Sequence, residues 1–159
     1  MNKSFDEDLK NIAKNDNEES VKFIKWCNCY KTGHQTIDEQ HKELVNIIND
    51  LYSVMLDNTA DKKQALLDAI KRCIDYTNFH FVEEEKLMNA TNYSKKDEHK
   101  AMHRKFVSRL IDHIKGFETW EPFSVYKFIN CLRDWLLEHI AYQDKIFISE
   151  IKKNFIKKI

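Results

Sequence analysis

Histidine and acidic side chains are the residues of this chain with the clearest capacity for chemistry, because several of them recur at helical spacing. His80 and Glu84 are four residues apart, as are His99 and His103, so both members of each pair lie on one face of a helix. Imidazole suits iron, copper, nickel and zinc, and a carboxylate between two ions can bridge them and offset their charge. The sequence therefore predicts a site for two transition-metal ions. Its predicted ligands are His41, His80, Glu84, His99, His103, His139 and Asp144.

Four predicted helices position these residues. Thr36 and Glu39 have the spacing of a capping box, which indicates the start of the first helix, and Pro122 precedes the fourth. Turns are expected at residues 58–61 and 89–94, and Gly116 is expected to end the third helix. Apolar residues recur along each helix at steps of three and four. The predicted inward-facing positions are Ile37, His41, Leu44, Ile48, Leu51 and Met55; Leu66, Ile70, Cys73, Thr77, His80, Glu84 and Leu87; His99, His103, Phe106, Leu110 and His113; and Val125, Ile129, Leu132, Leu136, His139, Gln143 and Ile146.

Short turns predict an all-α fold, an up-down-up-down antiparallel four-helix bundle with an N-terminal arm. In that fold the start of the first and third helices meets the end of the second and fourth, and these segments hold all seven candidates. Scattered core histidines would have no reason to share one level of the bundle. Glu84 on a core face would cost roughly several kcal/mol if it stayed ionised and unpaired, and a metal ion supplies the missing charge.

One pair does not fit an ideal helix. His139 and Asp144 are five residues apart, which is about 140° around an α-helix. Either the helix widens locally or the acid reaches in from the flank. The sequence leaves both possibilities open.

Composition sets expectations about partners and location. The chain of 159 residues has 26 basic and 26 acidic side chains, so no net charge attracts nucleic acid or an anionic membrane, and neither is an expected partner. No apolar run approaches the length of a membrane span, and the first residues lack the apolar core of a signal peptide. We expect a cytoplasmic protein with free thiols, and the alternative for Cys27 and Cys29 is a pair that binds a soft metal or responds to oxidation. The cysteines are Cys27, Cys29, Cys73 and Cys131.

Three parts of the chain are expected. Residues 1–20 form a polar extension, residues 21–150 form the bundle with its arm, and residues 151–159 form a basic tail whose lysines are interpreted as a solvated helix end. Trp26 and Tyr30 are the predicted anchors of the arm. His34 is interpreted as a surface loop residue, with the lining of an entry path as the alternative, and His113 lies about 15 Å along the helix from His103, too far to be a ligand.

At these residues the sequence resembles the hemerythrin family, specifically its single-domain bacterial members. The resemblance extends from about Trp26 to Asp144, and its joint pattern is far more specific than any one segment. The matching segments are TGHQTIDEQHKEL at 32–44, HFVEEEKLM at 80–88, HKAMH at 99–103 and WLLEHIAYQD at 135–144.

The resemblance implies a non-haem centre of two iron ions, joined by an oxo or hydroxo bridge and by the carboxylates of Glu84 and Asp144. It assigns His99, His103 and His139 to one iron, and assigns His41 and His80 to the other, which keeps an open position for dioxygen. The apolar oxygen pocket of the family corresponds here to Trp135, Leu136 and Ile140.

The expected function is therefore reversible dioxygen binding for storage, delivery or buffering, without enzymatic turnover. One alternative is a di-iron enzyme acting on nitric oxide, peroxide or ferrous iron. Another is an oxygen- or iron-sensing module that acts through an unidentified protein partner. The expected assembly is a monomer or a weak homo-oligomer.

Overall fold

The computed structural model describes residues 22–56, 62–115 and 122–156, and all its regular elements are helical. A 3-10 turn, Asn28–Tyr30, lies in the arm. The helices are α1 (Gln35–Leu56), α2 (Lys62–Thr91), α3 (Lys96–Lys115), α4 (Pro122–Glu138) and α5 (Asp144–Ile156), with a π-helical segment, His139–Gln143, joining the last two. Because α4, the π segment and α5 follow one another directly, they act as the fourth helix. The predicted all-α four-helix bundle is confirmed.

The bundle core has two apolar parts with a polar layer between them. Ile37 belongs to the smaller part and Leu44 to the larger, and His41 lies between them on α1. The same order recurs on the fourth helix, where Ile140 and Phe147 flank Asp144. The smaller cluster consists of Ile37, Met88, Tyr93, Phe147, Ile148 and Ile151. The polar layer is therefore closed off by apolar side chains on both sides.

The start of α1 differs from the predicted capping box. The helix begins at Gln35, because the His34 carbonyl accepts a hydrogen bond from the Asp38 amide at 2.9 Å. The Asp38 carboxylate accepts hydrogen bonds from the Thr32 amide and hydroxyl, both at 2.7 Å, and from the Gly33 amide at 3.0 Å. Asp38 thus ties the arm to the first turn of α1, and the predicted roles of Thr36 and Glu39 are wrong.

The π segment determines how His139 and Asp144 reach the same site. The Asp144 amide donates to the His139 carbonyl, an i to i+5 bond that adds one residue to this turn of the helix. The extra residue moves every later position by one step, so Asp144 and Phe147 are buried where Gln143 and Ile146 were expected. Local widening is therefore the answer to the five-residue spacing.

Other predicted positions shift by small amounts. Met88 replaces Leu87 as the buried residue near the end of α2, and Met55 and His113 are only partly buried. Helix α2 continues to Thr91, so the turn before α3 is shorter than expected. The turn predicted at residues 58–61 and the end at Gly116 lie outside the described residues, as does the polar extension.

The arm overturns part of the cysteine prediction. Cys27 and Cys29 are joined by a disulfide, with their Cα atoms 5.1 Å apart, whereas Cys73 and Cys131 are free. Cys27 directly precedes the 3-10 turn and Cys29 lies within it, and spacing alone did not indicate that the two would pair. Among the described helices, none has a stretch long and apolar enough to cross a membrane.

Candidate metal centre

All seven predicted ligands lie together in the polar layer of the bundle. Helix α1 supplies His41, α2 supplies His80 and Glu84, and the remaining four come from α3 and the fourth helix. Each of the seven side chains is at most 2% exposed. A layer of buried imidazoles and carboxylates of this density is costly unless its polar atoms find partners. The arrangement therefore calls for a cation or an extensive hydrogen-bond network.

The ligand atoms form two groups that share Glu84. The three-histidine group consists of Glu84, His99, His103 and His139, and the two-histidine group consists of His41, His80, Glu84 and Asp144. Within each group, one ligand atom per residue lies within 4.8 Å of all the others. Among the described residues, no other group of this kind is found. The structure thus provides two adjacent places for a metal ion.

Asp144 faces both groups with different oxygens. Its Oδ2 lies 3.0 Å from Nε2 of His41, and its Oδ1 lies 3.2 Å from Nε2 of His99 and 3.1 Å from Nε2 of His139. Glu84 turns Oε2 toward the three-histidine group, at 3.2 Å from Nε2 of His103, and toward His80 at 3.8 Å. A carboxylate that presents one oxygen to each of two neighbouring sites has the geometry of a bridge.

The imidazole nitrogens converge more closely than histidines in an ordinary core. Nε2 of His139 lies 3.1 Å from Nε2 of His99 and 3.1 Å from Nε2 of His103. A metal about 2.1 Å from each nitrogen separates neighbouring ligand atoms by about 3.0 Å in octahedral geometry. The observed spacing matches that value.

Unpartnered buried atoms separate a metal site from a hydrogen-bond network. Both nitrogens of His41, Nε2 of His80 and both oxygens of Glu84 and of Asp144 are buried without a hydrogen-bond partner. Each such atom costs roughly 1–3 kcal/mol if it stays unsatisfied. Although His41 and Asp144 approach within 3.0 Å, their atoms do not have hydrogen-bond geometry. The donor set fits two cations.

Two residues outside the predicted set orient the ligands. Nδ1 of His80 donates to Oε1 of Gln40 at 2.9 Å, and Nδ1 of His103 donates to Oε1 of Glu85 at 3.2 Å. A proton held on Nδ1 keeps Nε2 free to bind a metal. Gln40 and Glu85 directly precede or follow a predicted ligand in the chain. That adjacency was the available signal, because a residue one step from an inward-facing ligand faces the neighbouring helix.

The protonation of the metal-free site follows from burial and charge. Burial lowers the pKa of His80 to about 4, so this imidazole is neutral at pH 7. Burial also acts to raise the pKa of Glu84, but the imidazole of His80 and the close approach of His103, His139 and His99 hold it well below its usual range. For His99, the nearby carboxylates of Asp144 and Glu84, with oxygens 3.2 Å and 3.6 Å from Nε2, outweigh burial and raise its pKa to about 9. The carboxylates are therefore ionised and ready to bind a cation.

Aromatic rings support the three-histidine group. Phe81 stacks on His103 with ring centroids 3.8 Å apart, and Trp135 stacks on His139 at 4.3 Å. Phe106 in turn stacks on Trp135, with ring centroids 3.7 Å apart. Trp135 and His139 also line a surface depression of about 160 Å³. Trp135 therefore lies beside the three-histidine group.

The remaining residues of the predicted oxygen pocket are buried, with Leu136 at 4% and Ile140 at 0% exposure. Their role as pocket walls stays a prediction. The two other histidines are outside both groups. Nδ1 of His34 accepts a long hydrogen bond of 3.5 Å from the Ile37 amide, and the His113 ring packs edge-on to Phe128 with centroids 6.1 Å apart.

Comparison with known proteins agrees with this geometry. The family described as Hemerythrin HHE cation binding domain matches residues 32–151. A bacteriohemerythrin of Pseudomonas aeruginosa is 30% identical over 129 residues, which is 81% of this chain and 82% of the relative. A bacteriohemerythrin of Clostridium acetobutylicum is 27% identical over 126 residues, 78% of this chain and 98% of the relative. A hemerythrin of Phascolopsis gouldii is 32% identical over 119 residues, 75% of this chain and 85% of the relative. The family match covers most of the chain and contains all seven candidate ligands, so this protein belongs to the hemerythrin family.

Proposed function

We propose that this protein binds dioxygen reversibly at a non-haem di-iron centre, in the role of a store, carrier or buffer. The observation that carries the proposal is the unequal supply of ligands to two adjacent metal places. Three imidazoles face one place and two face the other, while the carboxylates of Glu84 and Asp144 lie between them. The protein would therefore supply one metal ion with three imidazoles and the other with two, with the two carboxylates available to both. The place with fewer protein ligands would be the one that admits dioxygen.

When bound, the two irons supply the electrons and the open position for dioxygen. We propose His99, His103 and His139 as ligands of the first iron, His41 and His80 as ligands of the second, and Glu84 and Asp144 as ligands of both. The negative charges of the two acids offset the charge of the metals within the apolar core. Gln40 and Glu85 hold the protons on Nδ1 of His80 and His103, so that Nε2 of each ring can bind.

Dryness of the site is the proposed basis of reversibility. Apolar residues enclose the polar layer on both sides. Leu136 and Ile140 are proposed to wall the oxygen pocket, because both are buried beside His139 on the fourth helix. Trp135 is proposed to complete the wall from the side of the three-histidine group. Exclusion of water and protons keeps bound oxygen from leaving in reduced form.

We propose that oxygen binding occurs without catalytic turnover and in the cytoplasm, with the chain as a monomer or weak homo-oligomer. Residues 21–150 are proposed as the oxygen-binding bundle, with residues 1–20 as an extension and residues 151–159 as a tail. The end of helix α5 at Ile156 and the burial of Ile151 support a helical start of that tail.

The test is an absorption spectrum of the reduced protein before air is admitted, after air is admitted, and after oxygen is removed again. Binding predicts a visible band that appears with air and disappears on deoxygenation over several cycles, with two irons per chain by metal analysis. His113→Ala is the control, because this histidine lies outside both metal groups. Irreversible bleaching in the first cycle, or one zinc per chain in place of iron, would contradict the proposal.

A further inference from the structure

The cysteine pair of the arm lies in a turn that contacts the helical segment before Asp144. Cys27 and Cys29 enclose the start of the 3-10 turn Asn28–Tyr30, in which the Tyr30 amide donates to the Cys27 carbonyl at 3.1 Å. This turn packs against the π segment His139–Gln143 of the fourth helix. The π segment in turn places Asp144 between the two metal groups. The cysteine turn is thus linked to the candidate bridging ligand Asp144 through one intervening element, the π segment.

A specific hydrogen bond makes that connection. The ammonium group of Lys145 donates to the backbone carbonyl of Cys29, and Lys145 directly follows Asp144 in the chain. The carbonyl is oriented by the turn that the disulfide closes. Opening the disulfide would release Cys29 from Cys27 and remove one constraint on the acceptor of Lys145.

The rest of the arm is anchored independently of the cysteines. Lys152 donates to the carbonyls of Thr32 at 3.2 Å and Gly33 at 2.9 Å, and Asp38 binds the amides of the same two residues. These contacts do not involve the sulfur atoms. A change at the disulfide is therefore confined to the turn and its contact with Lys145, without release of the whole arm.

Exposure separates this pair from the other cysteines. Cys29 is exposed and Cys27 is partly exposed, so reagents in solution can reach them. Cys73 is buried, and burial raises the pKa of its thiol to about 12. Cys131 is partly buried, and burial again raises its thiol pKa. Exposed disulfides belong to the labile and regulatory class, whereas buried thiols are inert.

We propose that Cys27 and Cys29 form a reversible redox site that is oxidised by hydrogen peroxide and that adjusts how firmly the start of α5 holds Asp144. In the oxidation, the two thiols lose two protons and two electrons and form the S–S bond. The O–O bond of peroxide accepts the electrons and breaks, and two water molecules form. In the return step, a low-molecular-weight dithiol reduces the disulfide by exchange and becomes a disulfide itself.

The consequence for the metal centre has a defined direction. The oxidised pair fixes the Cys29 carbonyl and thereby steadies Lys145 and Asp144, so iron is released more slowly than from the reduced protein. That consequence rests on the proposed metal function, whereas the thiol chemistry and its effect on the helix do not.

The experiment compares the reduced and peroxide-treated full-length protein by peptide mass spectrometry and amide hydrogen exchange. One equivalent of hydrogen peroxide should remove two hydrogens from the peptide containing Cys27 and Cys29 and leave Cys131 reduced. Exchange at residues 139–147 in the metal-free protein, and iron release to a chelator from the loaded protein, should slow by about three- to tenfold on oxidation, as expected for one steadied hydrogen bond.

Three variants give the controls. Cys29→Ser should remove the effect of peroxide, Cys131→Ser should preserve it, and Lys145→Met should keep disulfide formation but lose the change in exchange. Equal oxidation of Cys131 and the pair would overturn the redox site. Identical exchange in the two states of the unchanged protein would overturn the coupling to the helix. Loss of oxygen binding with intact thiol chemistry and exchange would contradict the proposed function alone.

Discussion

The two halves of the candidate metal centre differ in how tightly their imidazoles are packed. In the three-histidine group, Phe81 and Trp135 stack on His103 and His139. In the two-histidine group, His41 and His80 contact each other edge-on, with ring centroids 5.0 Å apart. The His80 ring also lies tilted against Phe81, with centroids 5.9 Å apart. Stacked rings restrict rotation of the imidazoles more than edge-on and tilted contacts do. The imidazoles of His103 and His139 are therefore expected to be held more rigidly than those of the two-histidine group.

The outer partners of the two halves differ in charge as well. Glu85, a carboxylate that is 33% exposed, accepts the proton of His103, whereas the buried amide of Gln40 accepts that of His80. A carboxylate partner makes an imidazole a stronger electron donor than an amide does. The ligands of the three-histidine half are therefore expected to stabilise the oxidised iron more strongly.

Loss of an acid that serves both halves should have the largest effect. Asp144→Ala or Glu84→Ala removes a ligand from both metal places and leaves several histidines without a charge partner, so we expect loss of most bound iron and a lower melting temperature. Metal analysis and thermal unfolding measure both. Glu83→Ala on the exposed side of the same helix is the matched control, since Glu83 pairs with Lys86 at the surface. Full iron content in either variant would show that the acid is not a bridge.

Single histidine substitutions should distinguish the halves. His41→Ala or His80→Ala should abolish oxygen binding while some iron remains in the three-histidine half. His103→Ala should reduce total iron further, because it removes both a ligand and the ring that stacks on Phe81. Iron analysis together with the oxygenated spectrum tests this order. Equal losses of iron and of oxygen binding in all three variants would show that the two halves of the centre do not differ in function.

The outer partners should have a smaller effect, on metal affinity. Glu85→Gln and Gln40→Ala each disturb one Nδ1 contact, and such changes typically reduce metal affinity by about 10- to 100-fold. Competition with a chelator measures the affinity. Glu85→Gln should also shift the reduction potential upward, because it removes the charge beside His103. If Glu85→Gln leaves the potential unchanged, the charge difference between the halves has no electronic role.

Leu136→Ala tests the predicted oxygen pocket with both irons in place. Truncation of a buried side chain opens space beside His139, and admission of water should shorten the lifetime of the oxygenated spectrum in air. Leu132→Ala, also buried but one turn farther from the ligands, controls for lost packing. An unchanged lifetime at matched iron content would mean that Leu136 does not protect the site.

The smallest effect concerns the arm beside the two-histidine half. Burial acts to raise the pKa of Asp38, but hydrogen bonds from Thr32 and Gly33 lower it overall. Because the pKa of Asp38 is lower in the folded than in the unfolded protein, its carboxylate stabilises the fold fully above about pH 4. That stabilisation is lost as the pH falls through the folded pKa. In metal-free protein, Asp38→Asn should lower the free energy of unfolding by about 1 kcal/mol at pH 7 and by less at pH 3. Glu39→Gln is the control, and a difference independent of pH would exclude the carboxylate as the cause.

Much of the fold and of the candidate site was predictable, because a regular period carries the information. His41, His80 and His103 lie on the expected faces of their helices. Asp144 was predicted as a ligand, but how it reaches the site could not be predicted, because five-residue spacing fits either a widened helix or a flanking acid, and backbone hydrogen bonding decides between them.

Tertiary contacts explain the other errors. Thr36 and Glu39 match a local capping pattern, but Asp38 contacts the arm through Thr32 and thereby sets where α1 begins. The pairing of Cys27 and Cys29 depends on a 3-10 turn that the chain around them does not specify. Where residues from separate parts of the chain compete for the same backbone groups, spacing alone is not sufficient.

Mössbauer spectroscopy of the fully oxidised, iron-57-loaded protein, with and without azide, distinguishes an unequal pair of irons from an equivalent pair. An unequal centre should give two distinct iron signals of equal area, of which only one changes when azide binds beside His41 and His80. A single signal from equivalent irons, or an equal change of both signals with azide, would contradict it.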